Sequence, residues 1–142
     1  AAAGWFAAEL STDLAALMMT FLVVWAGDTG AYFTGRLLGR HKLYPAVSPN
    51  KTIEGSLGGV VAGIGGALLI WWLMMPERPV VDIIWVAGVG NVIAQAGDLV
   101  ESALKRSCGV KDSGTLLPGH GGVFDRMDSF VFVAPFFALA LV

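Results

Sequence analysis

Asp98, Glu101, Ser102 and Lys105 stand three and four residues apart, the spacing that puts side chains on one face of a helix. They lie in Gly97-Asp98-Leu99-Val100-Glu101-Ser102-Ala103-Leu104-Lys105-Arg106, at the end of a long apolar run. Carboxylates in such a run are costly unless paired, solvated or bound to a cation. A Glu101–Lys105 pair at a solvated helix end accounts for two of these residues. Asp98, deeper in the run, needs another reason. Asp125 and Asp128, in Asp125-Arg126-Met127-Asp128, open a later apolar segment. Acids at a helix N-terminus complement the macrodipole, which alone could explain them. With Asp98, however, they make three carboxylates at one level. Oxygen donors of this kind suit a hard divalent cation such as magnesium. A carboxylate cluster beside a phosphate site is a frequent arrangement for metal-assisted phosphoryl chemistry.

The stretch between these clusters reads Lys111-Asp112-Ser113-Gly114, then Leu117-Pro118-Gly119-His120-Gly121-Gly122. Lys105, Arg106 and Lys111 can donate charged hydrogen bonds to phosphates. Gly119, Gly121 and Gly122 permit close approach of a ligand to the backbone. His120 suits either proton transfer or the simpler task of a hydrogen bond that holds a turn. Further upstream, Ser48-Pro49-Asn50-Lys51-Thr52-Ile53-Glu54-Gly55 reads as a helix start, with Ser48 as N-cap and Pro49 as the first helical residue. Lys51 and Thr52 would then occupy a first turn, where anions bind. A simpler reading is a capped membrane helix with an interfacial lysine. The GxxxxGK[ST] pattern of a nucleotide-binding P-loop is missing.

The elements that must hold these residues are membrane helices. The 142-residue chain is 56% hydrophobic and 14% charged, with a mean hydropathy of +0.70; soluble domains carry about 25% charged residues. A single cysteine, Cys108, excludes an internal disulfide framework, and a net charge of -2 gives no case for nucleic-acid binding. The first residues carry no basic run of the signal-peptide kind. Four segments approach the roughly 20 residues needed to cross a bilayer. They run from Leu14 to Leu38, with Asp28 and Thr29 interrupting, from Ile53 to Met75, from Val80 to Leu104, and from Phe124 to Val142. The expected fold is all-α, a single membrane-embedded domain over residues 1–142 built as a polytopic bundle of about four helices. Gly55, Gly58, Gly59, Gly63, Gly65 and Gly66 crowd the second segment; small residues there point to close helix packing. Arg36, Arg40, Lys42 and Lys51 follow the first segment, and Lys105, Arg106 and Lys111 follow the third. Basic links stay cytoplasmic. Both links, and with them the candidate site, are therefore expected on the cytoplasmic face of a cell (inner) membrane. The termini and the turn between Pro76 and Pro79 fall outside.

Ser102-Ala103-Leu104-Lys105-Arg106, Lys111-Asp112-Ser113-Gly114 and Leu117 through Asp128 together resemble the signature of CTP:phosphatidate cytidylyltransferases, the CDP-diacylglycerol synthases. Ser48 to Gly55 resembles a second motif of that family, and Asp28-Thr29-Gly30-Ala31-Tyr32-Phe33 with Gly35-Arg36 a third. The likeness runs from about Trp25 to Pro135, closer in style to the bacterial branch, and corresponds to the C-terminal half of such a protein. The resemblance implies transfer of CMP from CTP to phosphatidic acid, with pyrophosphate released. It implies Asp98, Asp125 and Asp128 as ligands of magnesium, with a second cation an option. Catalytic contacts would come from Lys105, Arg106 and Lys111 as well. Ser48, Lys51, Thr52, Glu54, Ser102, Asp112, His120, Gly121, Gly122 and Arg126 would bind substrate. The partners implied are CTP, phosphatidic acid and the bilayer; oligomeric state is left open, a homo-oligomer included. Interrupted helices with polar residues at mid-membrane also suit a transporter, and a CTP-dependent polyprenol kinase is the chemical alternative.

Overall fold

A computed structural model of the chain describes residues 2–109 and 124–141, with side chains over 13–109 and 129–141. The described residues form helices α1 (Ala2–Leu38), α2 (Ile53–Met74), α3 (Val80–Ser107) and α4 (Phe124–Leu141). Strands β1 (Lys42–Tyr44) and β2 (Ser48–Thr52) make a small hairpin between α1 and α2. Three helical stretches are long and apolar enough to cross a membrane: Asp13–Leu38, Ile53–Met74 and Val80–Ser107. Over the described side chains, α4 contributes the shorter apolar stretch Ser129–Leu141. The all-α membrane bundle expected from the sequence is therefore present, with one β-hairpin added.

Asp28 and Thr29 do not interrupt the first helix, which is continuous through them. Asp28 is exposed and lines the cavity at the hairpin end, and a carboxylate side chain there gives the helix backbone no reason to break.

The α1–α2 seam is built on glycine. A Cβ added at Gly55, Gly59 or Gly63 of α2 would sit 2.8, 2.9 or 3.1 Å from the carbonyl oxygens of Ala31, Gly27 and Val23 on α1. The same test at Gly30 of α1 meets Ala62 Cβ at 2.4 Å and the Gly58 carbonyl at 2.9 Å. Backbone lies against backbone, the close approach that small residues allow in a membrane. The opposite face of α2 carries Leu57, Val61 and Trp72, all exposed, as lipid-facing residues should be. Below the seam, Met19, Val23, Ala67, Ile83, Ala87, Val133 and Phe137 form the buried apolar core.

α3 and α4 pack antiparallel. Phe137 and Phe132 of α4 lie against Gly90 and Gly97 of α3, where a Cβ would come within 2.4 and 2.5 Å of the rings. This register brings the start of α4 to the level of the last turns of α3. At the far end, Arg78 Nη2 donates to the Leu141 carbonyl at 2.7 Å, and Trp71 Nε1 donates to the Arg78 carbonyl at 2.8 Å. The turn between α2 and α3 thus closes one end of the bundle, and the hairpin and the last turns of α3 lie at the other.

Candidate active site

At the hairpin end, α1, α2, α3 and both hairpin strands line an open cavity of about 560 Å³, within the range of small-molecule sites. α1 lines it with Asp28, Tyr32 and Arg36, spaced by four and so on one helix face. Arg36 Nη1 donates to the Tyr32 hydroxyl at 2.8 Å. β2 contributes Asn50, Lys51 and Thr52, the first turn of α2 contributes Gly55 and Ser56, and α3 contributes Gln95 and Asp98.

Lys51 and Asp98, from strand and helix 47 residues apart, form an ion pair in this cavity. Each side chain keeps about 30% of its surface accessible, 29% and 32%, so both reach the open space. Ser102 Oγ lies 3.5 Å from the other Asp98 oxygen. Below them a polar ladder crosses the bundle. Ser56 Oγ donates to Gln95 Oε1. Gln95 Nε2 donates to the Ser56 carbonyl at 3.1 Å and to Asn91 Oδ1 at 2.7 Å. Asn91, buried, donates from Nδ2 to the Val23 carbonyl at 3.2 Å. Amides this deep in hydrocarbon must find partners. The glycine seam makes room for them: a Cβ at Gly27 would lie 2.1 Å from Asn91 Nδ2, and one at Gly63 2.6 Å. The ladder fixes the rotation of α3, so that Asp98, seven residues after Asn91, faces the cavity.

Four residues expected to contact substrate or take part in catalysis stand elsewhere. Ser48 is not the N-cap of α2. It pairs with Tyr44 in the hairpin, and its backbone is committed to a strand. The cap is Thr52, at φ -124° and ψ 155°, whose Oγ1 accepts the Gly55 amide at 3.1 Å. Lys51 and Thr52 therefore lie before the helix, not in its first turn. Glu54 turns away from the cavity and accepts the Arg40 and His41 amides at 3.1 and 3.2 Å, with His41 Nδ1 at 2.6 Å from its carboxylate; it ties the hairpin to α2. Lys105 pairs with buried Glu101 at 3.2 Å, as the i,i+4 spacing suggests, and Arg106 is exposed beside it; neither lines the cavity. Thr52→Ala should cost about 1 kcal/mol of stability as a lost cap. Ser48→Ala should stay within about 0.5 kcal/mol. Unfolding of the two variants in mixed micelles distinguishes them.

Lys111, Asp112, His120, Gly121 and Gly122 lie outside the described residues, as do the side chains of Asp125, Arg126 and Asp128. Among the described residues no three acidic, histidine or cysteine side chains converge on a metal-sized space. The cavity nevertheless offers the oxygen donors a hard cation requires, with Asp28 and Asp98 in its wall beside Asn50, Ser56, Thr52 and Gln95. The donor chemistry fits magnesium. Asp28, Tyr32, Arg36, Asn50, Ser56 and Gln95 were not singled out as site residues from the sequence. Asp28, Tyr32 and Arg36 do fall in the third family-like motif, and Asn50 in the second, which with the four-residue spacing on α1 is the signal the sequence offers.

The model of a cytidylyltransferase family matches residues 3–142. The chain is 46% identical over 138 residues to a phosphatidate cytidylyltransferase of Staphylococcus haemolyticus (strain JCSC1435), covering 97% of this chain and 53% of that protein. It is 48% identical over 132 residues to the protein of the same name in Staphylococcus epidermidis (strain ATCC 12228 / FDA PCI 1200), covering 93% and 51%. The protein of that name in Staphylococcus aureus (strain COL) is 46% identical over 132 residues, with the same coverage, 93% and 51%. The chain thus spans about half the length of the curated relatives it matches. With the family model matching residues 3–142 of a helical bundle whose cavity is lined from two of the three sequence motifs, the chain belongs to the cytidylyltransferase family.

Proposed function

We propose that the protein carrying this chain transfers CMP from CTP to phosphatidic acid, giving CDP-diacylglycerol and pyrophosphate. The observation that supports it most is the convergence of Lys51 and Asp98, from separate elements, in a cavity at the basic end of a membrane bundle. A phosphate oxygen of phosphatidic acid attacks the α-phosphorus of CTP, the bond to the β-phosphate oxygen breaks, and pyrophosphate leaves. The nucleophile is already an anion, so no strong base is needed. Positioning and charge neutralisation dominate. Lys51 and Arg36 are placed to bind phosphate oxygens, and Asn50 and Thr52 to orient them. Asp98 would hold magnesium, joined by Asp125 and Asp128 according to the sequence motif. Bound there, the ion would neutralise phosphate charge. Incorporation of radiolabelled CTP into lipid by the full-length protein tests the reading. Label should enter lipid only with both phosphatidic acid and magnesium present. Labelled polyprenyl phosphate, or uptake of solute without lipid labelling, would overturn it.

On this reading the basic end faces the cytoplasm, where soluble nucleotide meets membrane lipid, and the excess of Lys and Arg in both links supports it. Cys108, exposed at the end of α3, is a native reporter. An impermeant thiol reagent applied outside intact cells should leave it unlabelled. In a Cys108→Ser background, Pro79→Cys should label. The reverse pattern would invert the orientation.

A further inference from the structure

The Lys51–Asp98 pair joins the two groups that the proposed function assigns to opposite guests, and we propose that it makes cation and phosphate binding mutually dependent. The inference rests on that reading of the cavity. In the structure the Lys51 ammonium and the Asp98 carboxylate neutralise one another. One sits on a hairpin strand and the other on α3, so the pair bridges two walls of the cavity. Neither is sealed in: both side chains keep about 30% of their surface, 29% and 32%. A cation approaching Asp98 meets an ammonium already there. A phosphate approaching Lys51 meets a carboxylate. Either guest alone must break the pair and leave one charge facing a half-apolar cavity, which is costly. Both guests together give each side chain a new counter-charge, and the exchange is balanced. The cation should thus promote nucleotide binding, and the nucleotide should promote cation binding by the same factor. The pair would keep the cavity from filling with a cation alone or a metal-free nucleotide alone.

The test measures binding, not turnover, on the full-length protein in lipid nanodiscs. Free Mn²⁺ is followed by its electron paramagnetic resonance signal, and the non-transferable α,β-methylene analogue of CTP is the nucleotide probe. In the wild type, nucleotide should tighten Mn²⁺ binding by about tenfold or more. Lys51→Met should tighten Mn²⁺ binding without nucleotide by about tenfold, because Asp98 is released. Asp98→Asn should tighten nucleotide binding in chelator by a similar factor, because Lys51 is released. Arg36→Met removes the same charge from the same cavity but not from the pair, and should change Mn²⁺ affinity by less than about threefold. Direct metal–phosphate contact contributes coupling in every variant, so the single-ligand affinities decide. Unchanged or weakened Mn²⁺ binding in Lys51→Met, or equal tightening in Arg36→Met, overturns the inference. Lys51→Gln gives the same reading should Lys51→Met not fold. A wild type that binds both probes independently overturns the inference alone. One that binds neither overturns the proposed function with it.

Discussion

Asp98→Asn is expected to lower CTP incorporation by about 10²–10³-fold, the scale on which one preorganised charge-stabilising contact acts, while the protein stays folded and inserted. Asn keeps the size of the side chain and can still accept from Ser102, but it carries no charge to offer a cation or Lys51. A purely structural role for Asp98 predicts the opposite. As no more than the structural partner of Lys51 it would leave turnover intact when neutralised and cost stability instead, because the Lys51 ammonium would lose its counter-charge. Turnover at saturating magnesium, CTP and phosphatidic acid, with membrane-extracted protein quantified in parallel, separates the two. Wild-type turnover in Asp98→Asn would remove the carboxylate from the chemistry. Asp125→Asn and Asp128→Asn should show losses of the same order if the sequence motif supplies the remaining ligands.

The second large effect concerns the same change, glycine to alanine, at two positions. Gly30→Ala should destabilise the bundle by about 3 kcal/mol, at the upper end of the usual cost of overpacking. The new methyl would meet Ala62 Cβ at 2.4 Å and the Gly58 carbonyl at 2.9 Å; the second of these is backbone, which cannot swing aside. Gly65→Ala meets nothing within 4 Å and should stabilise by up to about 1 kcal/mol, as alanine is the better helix former. Gly30→Ala should also impair turnover, because α1 carries Asp28 and Arg36 into the cavity opposite Lys51. Thermal unfolding of both variants, read by near-ultraviolet signals from the tryptophans, gives the stabilities. Equal effects would show that the seam is looser than the structure has it.

The apolar runs of α2, α3 and α4 were readable from the sequence because their hydrophobic length marks them, although the helix-start pattern put the cap of α2 four residues early. Ile53, Val80 and Phe124 begin helices where the apolar runs begin. The Glu101–Lys105 pair was readable for the same local reason, a spacing of four on one helix. The hairpin was not. Ser48-Pro49 carries a convincing helix-start pattern, and only the pairing of Lys42 with Thr52 and Tyr44 with Ser48 shows that Thr52 takes the cap instead. The cavity was half readable. Lys51, Thr52 and Asp98 stood out by type, whereas Asp28, Arg36 and Gln95 enter it through the rotation of whole helices. That rotation depends on Asn91 seating between Gly27 and Gly63, with Gln95 against Gly59, a three-helix fit that no local pattern carries.

The glycine seam has a consequence for the order in which the chain assembles as it leaves the ribosome. Its backbone contacts join α1 and α2, neighbours in sequence, so this helical hairpin can pair before α3 has been synthesised. α3 is the less apolar of the two later membrane-length helices, and it brings Asn91, Gln95 and Asp98 with it. Alone in lipid those groups lack partners; beside the paired helices the Val23 and Ser56 carbonyls are already waiting. The first two helices thus act as a template that receives the third during translation, and the groove left by the missing side chains is what sets its register.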